Sequence, residues 1–408
     1  MRARIGGRRL AGAAAIGALV VALTAGTAGA APAAGGPAAP AAGAAAPNAA
    51  ALRASIAGLP SPEITSAVVL VDGDGGRWTG TSGTGDPATG RPVKADGRFR
   101  IGSISKVFTA TVLLQLAAEH RIDLDGTVQQ YLPGALPAEY PPVTVRQLLN
   151  HTSGLPGGGD LTDDDGSAAW FVAHAADHWS PQQVVASLAG QPMQFAPGTA
   201  QQYNGVNYYL AGLLIERATG RTFAQEVTDR VLRPLGLRHT SAPAATDTSL
   251  PDPTAHAVLA VPRPDGGSDL RDVTRQSPWP WAEGGMVSTA PNLDRFLSAL
   301  LKGRLLPPAQ QAELFAVPDV PNFRNQNCDI GPTSGRACFS TGLMRFSPAP
   351  GLEFWGKTGS RPGYTSAVFA TRDASRELVY SFTPTSRQGA PFAAQYRVAA
   401  AAFDLPAL

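Results

Sequence analysis

The sequence predicts an α+β fold: one antiparallel sheet built from both chain ends, covered by terminal helices, with a helical region inserted between them. Three observations predict it. Strand signals cluster before residue 83 and again after residue 336, and helical periodicity fills the space between. The chain has 408 residues and 44% are apolar, enough for a sizeable core.

The N-terminal 30 residues read as a secretory signal peptide. Arg2, Arg4, Arg8 and Arg9 form a basic start, Leu10 to Thr24 is uncharged and largely apolar, and Ala28-Gly29-Ala30 offers a small-residue cleavage site. The run is too short and Ala-rich for a stable membrane anchor. Residues 31–49 form an Ala/Pro/Gly-rich linker, expected to be disordered. The folded domain is therefore placed at residues 50–408, and the mature protein outside the cytoplasm.

Within the domain, Ser66 to Asp72 and Arg77 to Ser82 read as two strands joined by a Gly/Asp turn. A helix is expected from Ser103 to His120. "VTVRQLLNHTSGL" is a short helix closed by Gly154. "SPQQVVASLAG" opens with Ser180 as N-cap and Pro181 in the first turn and closes with Gly190. Two further helices, "VNYYLAGLLIERATG" and "FAQEVTDRVLRPLG", end at Gly220 and Pro234. In "STAPNLDRFLSALLKG", Leu293, Phe296, Leu297, Leu300 and Leu301 recur at helical spacing. Strands return in "ACFSTGLMRF", "LEFWGKT", "YTSAVFATRD" and "ELVYSFTP", and "PFAAQYRVAAAAFDL" is a last helix. The inserted helical region is thus expected from about Leu124 to Trp281.

Charge excludes some functions. The net charge is +2, and four arginines but no acids lie in the first 30 residues, so the mature chain carries about −2. Neither nucleic acid nor an anionic membrane surface is an expected partner. Cys328 and Cys338 are the only cysteines, and in an exported chain the expectation is one local disulfide, contributing roughly 2–3 kcal/mol. No metal site and no cofactor are expected. A monomer is.

Lysine usage points to chemistry. Of 33 Lys plus Arg, only Lys94, Lys106, Lys302 and Lys357 are lysine. Arg cannot release its proton, whereas a buried Lys can. Lys106 lies on an apolar stripe with Ala110, Leu113, Leu114 and Ala117. Ser103, three residues earlier, meets it on one helix face at the positive helix end. Burial is expected to lower the Lys106 pKa and make a neutral amine available to activate the serine. Downstream, "GKTGSRPGYTSAVF" places Lys357, Thr358, Gly359 and Ser360 at a strand. Gly359 would let a substrate backbone approach, and the Thr358 and Ser360 hydroxyls would bind it.

"GSISK" with a later "KTG" resembles the penicillin-recognising serine hydrolases. "LLNHTSGLP", "FAPGTAQQYNGVNYYLAGLLIERATG", "VLRPLGLRHT" and "EGGMVSTAPNLDRFLSALLKG" resemble the class C β-lactamase and D-alanyl-D-alanine carboxypeptidase group. The resemblance implies a β-lactamase/transpeptidase-like fold and an acyl-enzyme on Ser103, with Lys106 sharing its proton. It implies that Tyr203, its pKa lowered by two lysines, is general base and acid, and that Lys357 supplies the field and orients substrate. It places the backbone N–H groups of Ser103 and Ser360 in the oxyanion hole, and gives His151 a structural role. The family's Tyr-x-Asn element reads Tyr203-Asn204-Gly205 here. Gly205 lacks the carboxamide that holds a substrate acylamide, so either Asn204 reaches in or the substrate lacks that amide. The implied function is a D-alanyl-D-alanine carboxypeptidase-like hydrolase of small peptides. A β-lactamase or family VIII-type carboxylesterase of the same fold would act on a β-lactam or ester. A non-catalytic penicillin-binding-like protein is the alternative of another class, and the intact Ser103, Lys106, Tyr203 and Lys357 set argues against it.

Overall fold

A computed structural model describes residues 45–159, 161–324 and 328–406. The signal peptide and most of the linker lie outside the described residues.

Seven antiparallel strands form the main sheet, in the order Arg91–Pro92, Trp78–Asp86, Ile64–Gly73, Arg376–Pro384, Tyr364–Thr371, Phe354–Arg361, Met344–Phe346. The first and last long strands pair at its centre, with Val69 opposite Tyr380. Both chain ends therefore build one sheet, as the strand signals at both termini require. Side chains alternate between the faces. Val68, Leu70, Val368 and Val379 meet the inserted region on one face. Val69, Phe369, Leu378 and Tyr380 meet the terminal helices Ala49–Ser55 and Phe392–Phe403 on the other.

The helix Ser105–Ala118 runs through the larger core. It is buried nearly all round and not only along the stripe expected, and its buried Thr and Ser hydroxyls are hydrogen-bonded. Thr111 donates to the Val107 carbonyl at 2.7 Å, and Thr109 to the Ala282 carbonyl at 2.7 Å. Cap residues fix the neighbouring helices. Ser180 and Gln183 close a capping box at the start of Pro181–Ala186, and Gly220, at φ 69°, ends Val206–Thr219.

Two expectations are corrected. The inserted region is not wholly helical: Val258–Pro262 and Ser268–Asp272 pair as a separate two-stranded sheet. The strand expected in "ACFSTGLMRF" is confined to Met344–Phe346. Among the described residues no helix is long and apolar enough to cross a membrane.

Candidate active site

Ser103 sits in a tight turn, Gly102–Ile104, that feeds directly into the buried helix. Gly102 has φ +50°, and a Cβ there would lie 2.6 Å from the backbone nitrogen of Ser360. Glycine thus lets the turn touch the edge of the sheet. A Cβ at Gly359 would collide with the Ile101 carbonyl and come within 3.0 Å of Ser366 Oγ. Gly359 therefore packs its strand against the nucleophile turn. Ser105 braces the turn, donating to the Gly102 carbonyl at 2.7 Å and accepting from the Met286 N–H at 3.1 Å. The pairing of Phe99–Arg100 with Val287–Ser288 ties the same turn to a segment far along the chain.

That segment carries Glu283, which sequence reasoning missed. The Lys106 ammonium donates to Ser103 Oγ at 3.1 Å, to the Glu283 carbonyl at 2.8 Å and, in a very short ion pair, to Glu283 Oε2. Lys106 is 1% exposed. Burial disfavours its charge, but the Glu283 carboxylate and Tyr203 outweigh burial, and its pKa is raised. The expectation of a neutral Lys106 is therefore overturned: Lys106 is a held cation. The signal available in the sequence was a single acid in the uncharged run around "WAEGGM".

Lys357 is also buried, at 2% exposure. Burial, then the positive charge of Lys106, lowers its pKa to about 7. It is the lysine that can release its proton near physiological pH. Its ammonium or amine lies 4.8 Å from the centre of the Tyr203 ring, with Lys106 at 5.0 Å. The Tyr203 hydroxyl is buried beside these groups and makes no hydrogen bond of ordinary geometry among the described residues. Burial raises its pKa despite Lys106, contrary to the lowering expected. The phenol is neutral at rest.

His151 forms the floor under Tyr203, with ring centres 4.5 Å apart. It has φ +61° and is buried. Its Nδ1 accepts from the Asn204 N–H and the Asn207 amide, both at 3.2 Å. Burial and the two lysines push its pKa well down, so it stays neutral and structural, as expected. Phe339 packs against Tyr203 from another side, at 5.0 Å. The Cys328–Cys338 disulfide is formed next to it. Gln201 accepts from the Cys338 and Phe339 N–H groups at 2.9 and 3.0 Å, which clamps this loop to the tyrosine segment.

Asn204 does not reach the substrate side. Its amide donates to the Leu155 and Pro156 carbonyls at 2.7 and 2.9 Å, and its oxygen accepts from the Val206 N–H at 2.9 Å. The substrate-binding role expected for it is withdrawn: it is a buried side chain with both ends satisfied by backbone groups. Thr358 and Ser360 retain hydroxyls that join no hydrogen bond among the described residues, and Ser360 is exposed.

A serine, two lysines and a tyrosine on this sheet and helix arrangement match one family. The Beta-lactamase family model covers residues 45–403. The chain belongs to the beta-lactamase family. Members of this family are serine hydrolases, and this one resembles a D-stereospecific amidohydrolase from Streptomyces sp. at 33% identity and a TM-score of 0.74, over 88% of this chain and 100% of that one. Esterase EstB of Burkholderia gladioli is 31% identical over 53% of this chain and 60% of its own length. Penicillin-binding protein 4 of Amycolatopsis lactamdurans is 34% identical over 41% of this chain and 42% of its own. This beta-lactamase-family chain thus spans less than two thirds of those two curated relatives.

Proposed function

We propose that this protein is an exported serine hydrolase that cleaves amide or ester bonds of small acyl donors derived from D-amino acids, through an acyl-enzyme on Ser103. The observation that carries the reading is the Lys106 ammonium 3.1 Å from Ser103 Oγ, beside the buried Tyr203 hydroxyl. The D-stereospecific relative, matched over its full length, supports the choice of D-configured donors.

In this reading Ser103 Oγ attacks the carbonyl carbon. The Tyr203 oxygen takes the serine proton while its own proton passes into the lysine pair, where Lys357 is the member that becomes neutral as pH rises through about 7. Lys106 stays charged and stabilises the forming alkoxide. The Ser103 and Ser360 N–H groups hold the carbonyl oxygen as it becomes an anion. The proton returns through Tyr203 to the leaving amine or alcohol. Water then attacks the acyl-enzyme, with Tyr203 again taking the proton.

The carboxypeptidase and β-lactamase readings share this chemistry and are favoured by the penicillin-binding relative. They rank lower because Gly205 has no carboxamide and Asn204 is committed elsewhere. The test is turnover of D- and L-phenylalaninamide with Ser103→Ala as control. Hydrolysis of the D-amide that vanishes in Ser103→Ala supports the reading, whereas equal rates on both enantiomers reject the stereochemical part. Activity surviving in Ser103→Ala rejects the nucleophile.

A further inference from the structure

The space beside Lys106 that an asparagine at position 205 would fill is occupied from another part of the chain. Gly205 has φ −65° and ψ −38°, ordinary helical values that any residue adopts. Backbone strain does not require glycine there. A Cβ at 205 would instead stand 3.3 Å from Glu283 Oε1 and 3.5 Å from its Cδ. The Glu283 side chain lies over Gly205 and makes the contact to Lys106 that a carboxamide would make.

The substitution changes the charge of the site. A carboxamide offers one donor and one acceptor, and can hold a neutral acylamide. A carboxylate only accepts. One Glu283 oxygen is used by Lys106. The other, Oε1, accepts no hydrogen bond among the described residues. The side chain keeps 24% exposure while its lysine partner is sealed. The other charged and titratable groups that bear on it are Lys357, the Tyr203 and Tyr209 phenols, and Arg361, whose guanidinium donates to the Ser277 carbonyl at 3.0 Å. An open carboxylate oxygen at the edge of an acylation site selects a cationic donor.

We propose that Glu283 is a specificity-determining residue whose free oxygen binds the ammonium of an unacylated amino group on the acyl donor. This rests on the acyl-enzyme reading of Ser103. The inferred substrates are amino-acyl amides, esters or short peptides with a free amino terminus. N-acylated donors, including penicillins with their acylamide side chains, are disfavoured, because they bring no cation and leave the carboxylate facing a carbonyl dipole.

The experiment measures kcat/KM for D-phenylalanine p-nitroanilide and its N-acetyl counterpart on wild type, Glu283→Gln and Glu283→Asp, with melting curves to confirm folding. A charge-assisted hydrogen bond realised in the transition state predicts a wild-type preference for the free amine of about 10- to 100-fold. In Glu283→Gln the ratio should fall to within about threefold, and Glu283→Asp should keep part of it. The wild-type ratio should also fade as pH rises through the substrate amine's own pKa, roughly 8. A purely structural Glu283 would lower both rates together and leave the ratio and its pH dependence unchanged, which overturns the proposal. So does a wild-type preference for the N-acetyl substrate, or failure to cleave either one. In that last case, p-nitrophenyl butyrate hydrolysis lost in Ser103→Ala shows that the acyl-enzyme reading survives. Its persistence in Ser103→Ala shows that the underlying reading has failed as well.

Discussion

Replacing Lys357 separates the chemistry of this site from its cost in stability. Burial and Lys106 lower the Lys357 pKa from 10.5 to about 7. The folded protein releases this proton near pH 7, while the unfolded chain holds it to about 10.5. Between those values the unfolded state binds more protons, so stability contributed by this group climbs with pH. Below pH 7 both states are protonated and the penalty is fully present. At about 1.4 kcal/mol per tenfold change in the protonation constant, that penalty is roughly 5 kcal/mol as an upper bound. Lys357→Met should therefore raise the melting temperature at pH 6, less so at pH 9, while removing turnover. Lys357→Arg should retain a cation that cannot act as a base. On p-nitrophenyl butyrate, which has no titrating amine, wild-type kcat/KM should rise through about pH 7 and level off above it. Lys357→Arg should lose that limb and about 10²- to 10⁴-fold in rate at pH 8. A limb near pH 7 that persists in Lys357→Arg would refute the assignment of the neutral amine. A wild-type profile flat from about pH 5.5 to 8.5 would do the same.

Other predictions follow from individual contacts. The double variant Gly205→Asn/Glu283→Ala restores a carboxamide and frees its space, and should acylate with benzylpenicillin at least about tenfold faster than wild type in stopped-flow labelling. No gain would mean that position 205 does not read an acylamide here. Glu377 is buried, and burial and Asp294 raise its pKa to about 8. Its stabilisation is present below about pH 4.5 and is lost as pH rises through 8, so Glu377→Gln should gain a few kcal/mol in denaturant unfolding at pH 9 and little at pH 4. An equal gain at both values would contradict this. Serine at both Cys328 and Cys338 should lower stability by roughly 2–3 kcal/mol. An unchanged melting curve would show that the bridge closes a loop of no consequence.

The sheet made by both chain ends was legible because its strands carry continuous apolar, Val-rich runs, such as Val68 to Val71. The nucleophile was legible because Ser103 and Lys106 are local, three residues apart at a helix start. What escaped was long-range. Glu283 lies 177 positions from Lys106, and only folding shows that it reverses the direction of the lysine's pKa. The same distance hid the reason for Gly205, which reads as a missing asparagine until Glu283 is seen above it. Asn204 looked available for substrate because its partners, the Leu155 and Pro156 carbonyls, lie nearly fifty positions away. The hairpin Val258–Pro262 and Ser268–Asp272 was hidden by exposed polar residues on its second strand, which weaken the alternation a strand normally shows.

The central claim is that Ser103 carries the acyl group while Lys106, Tyr203 and Lys357 move and hold charge around it. Intact-mass analysis of the protein quenched during turnover of a p-nitrophenyl ester, followed by peptide mapping, tests it most directly. The account predicts one acyl group per chain, located on the peptide that contains Ser103 and absent in Ser103→Ala. An adduct on any other residue, or turnover in Ser103→Ala at the wild-type rate, would contradict it.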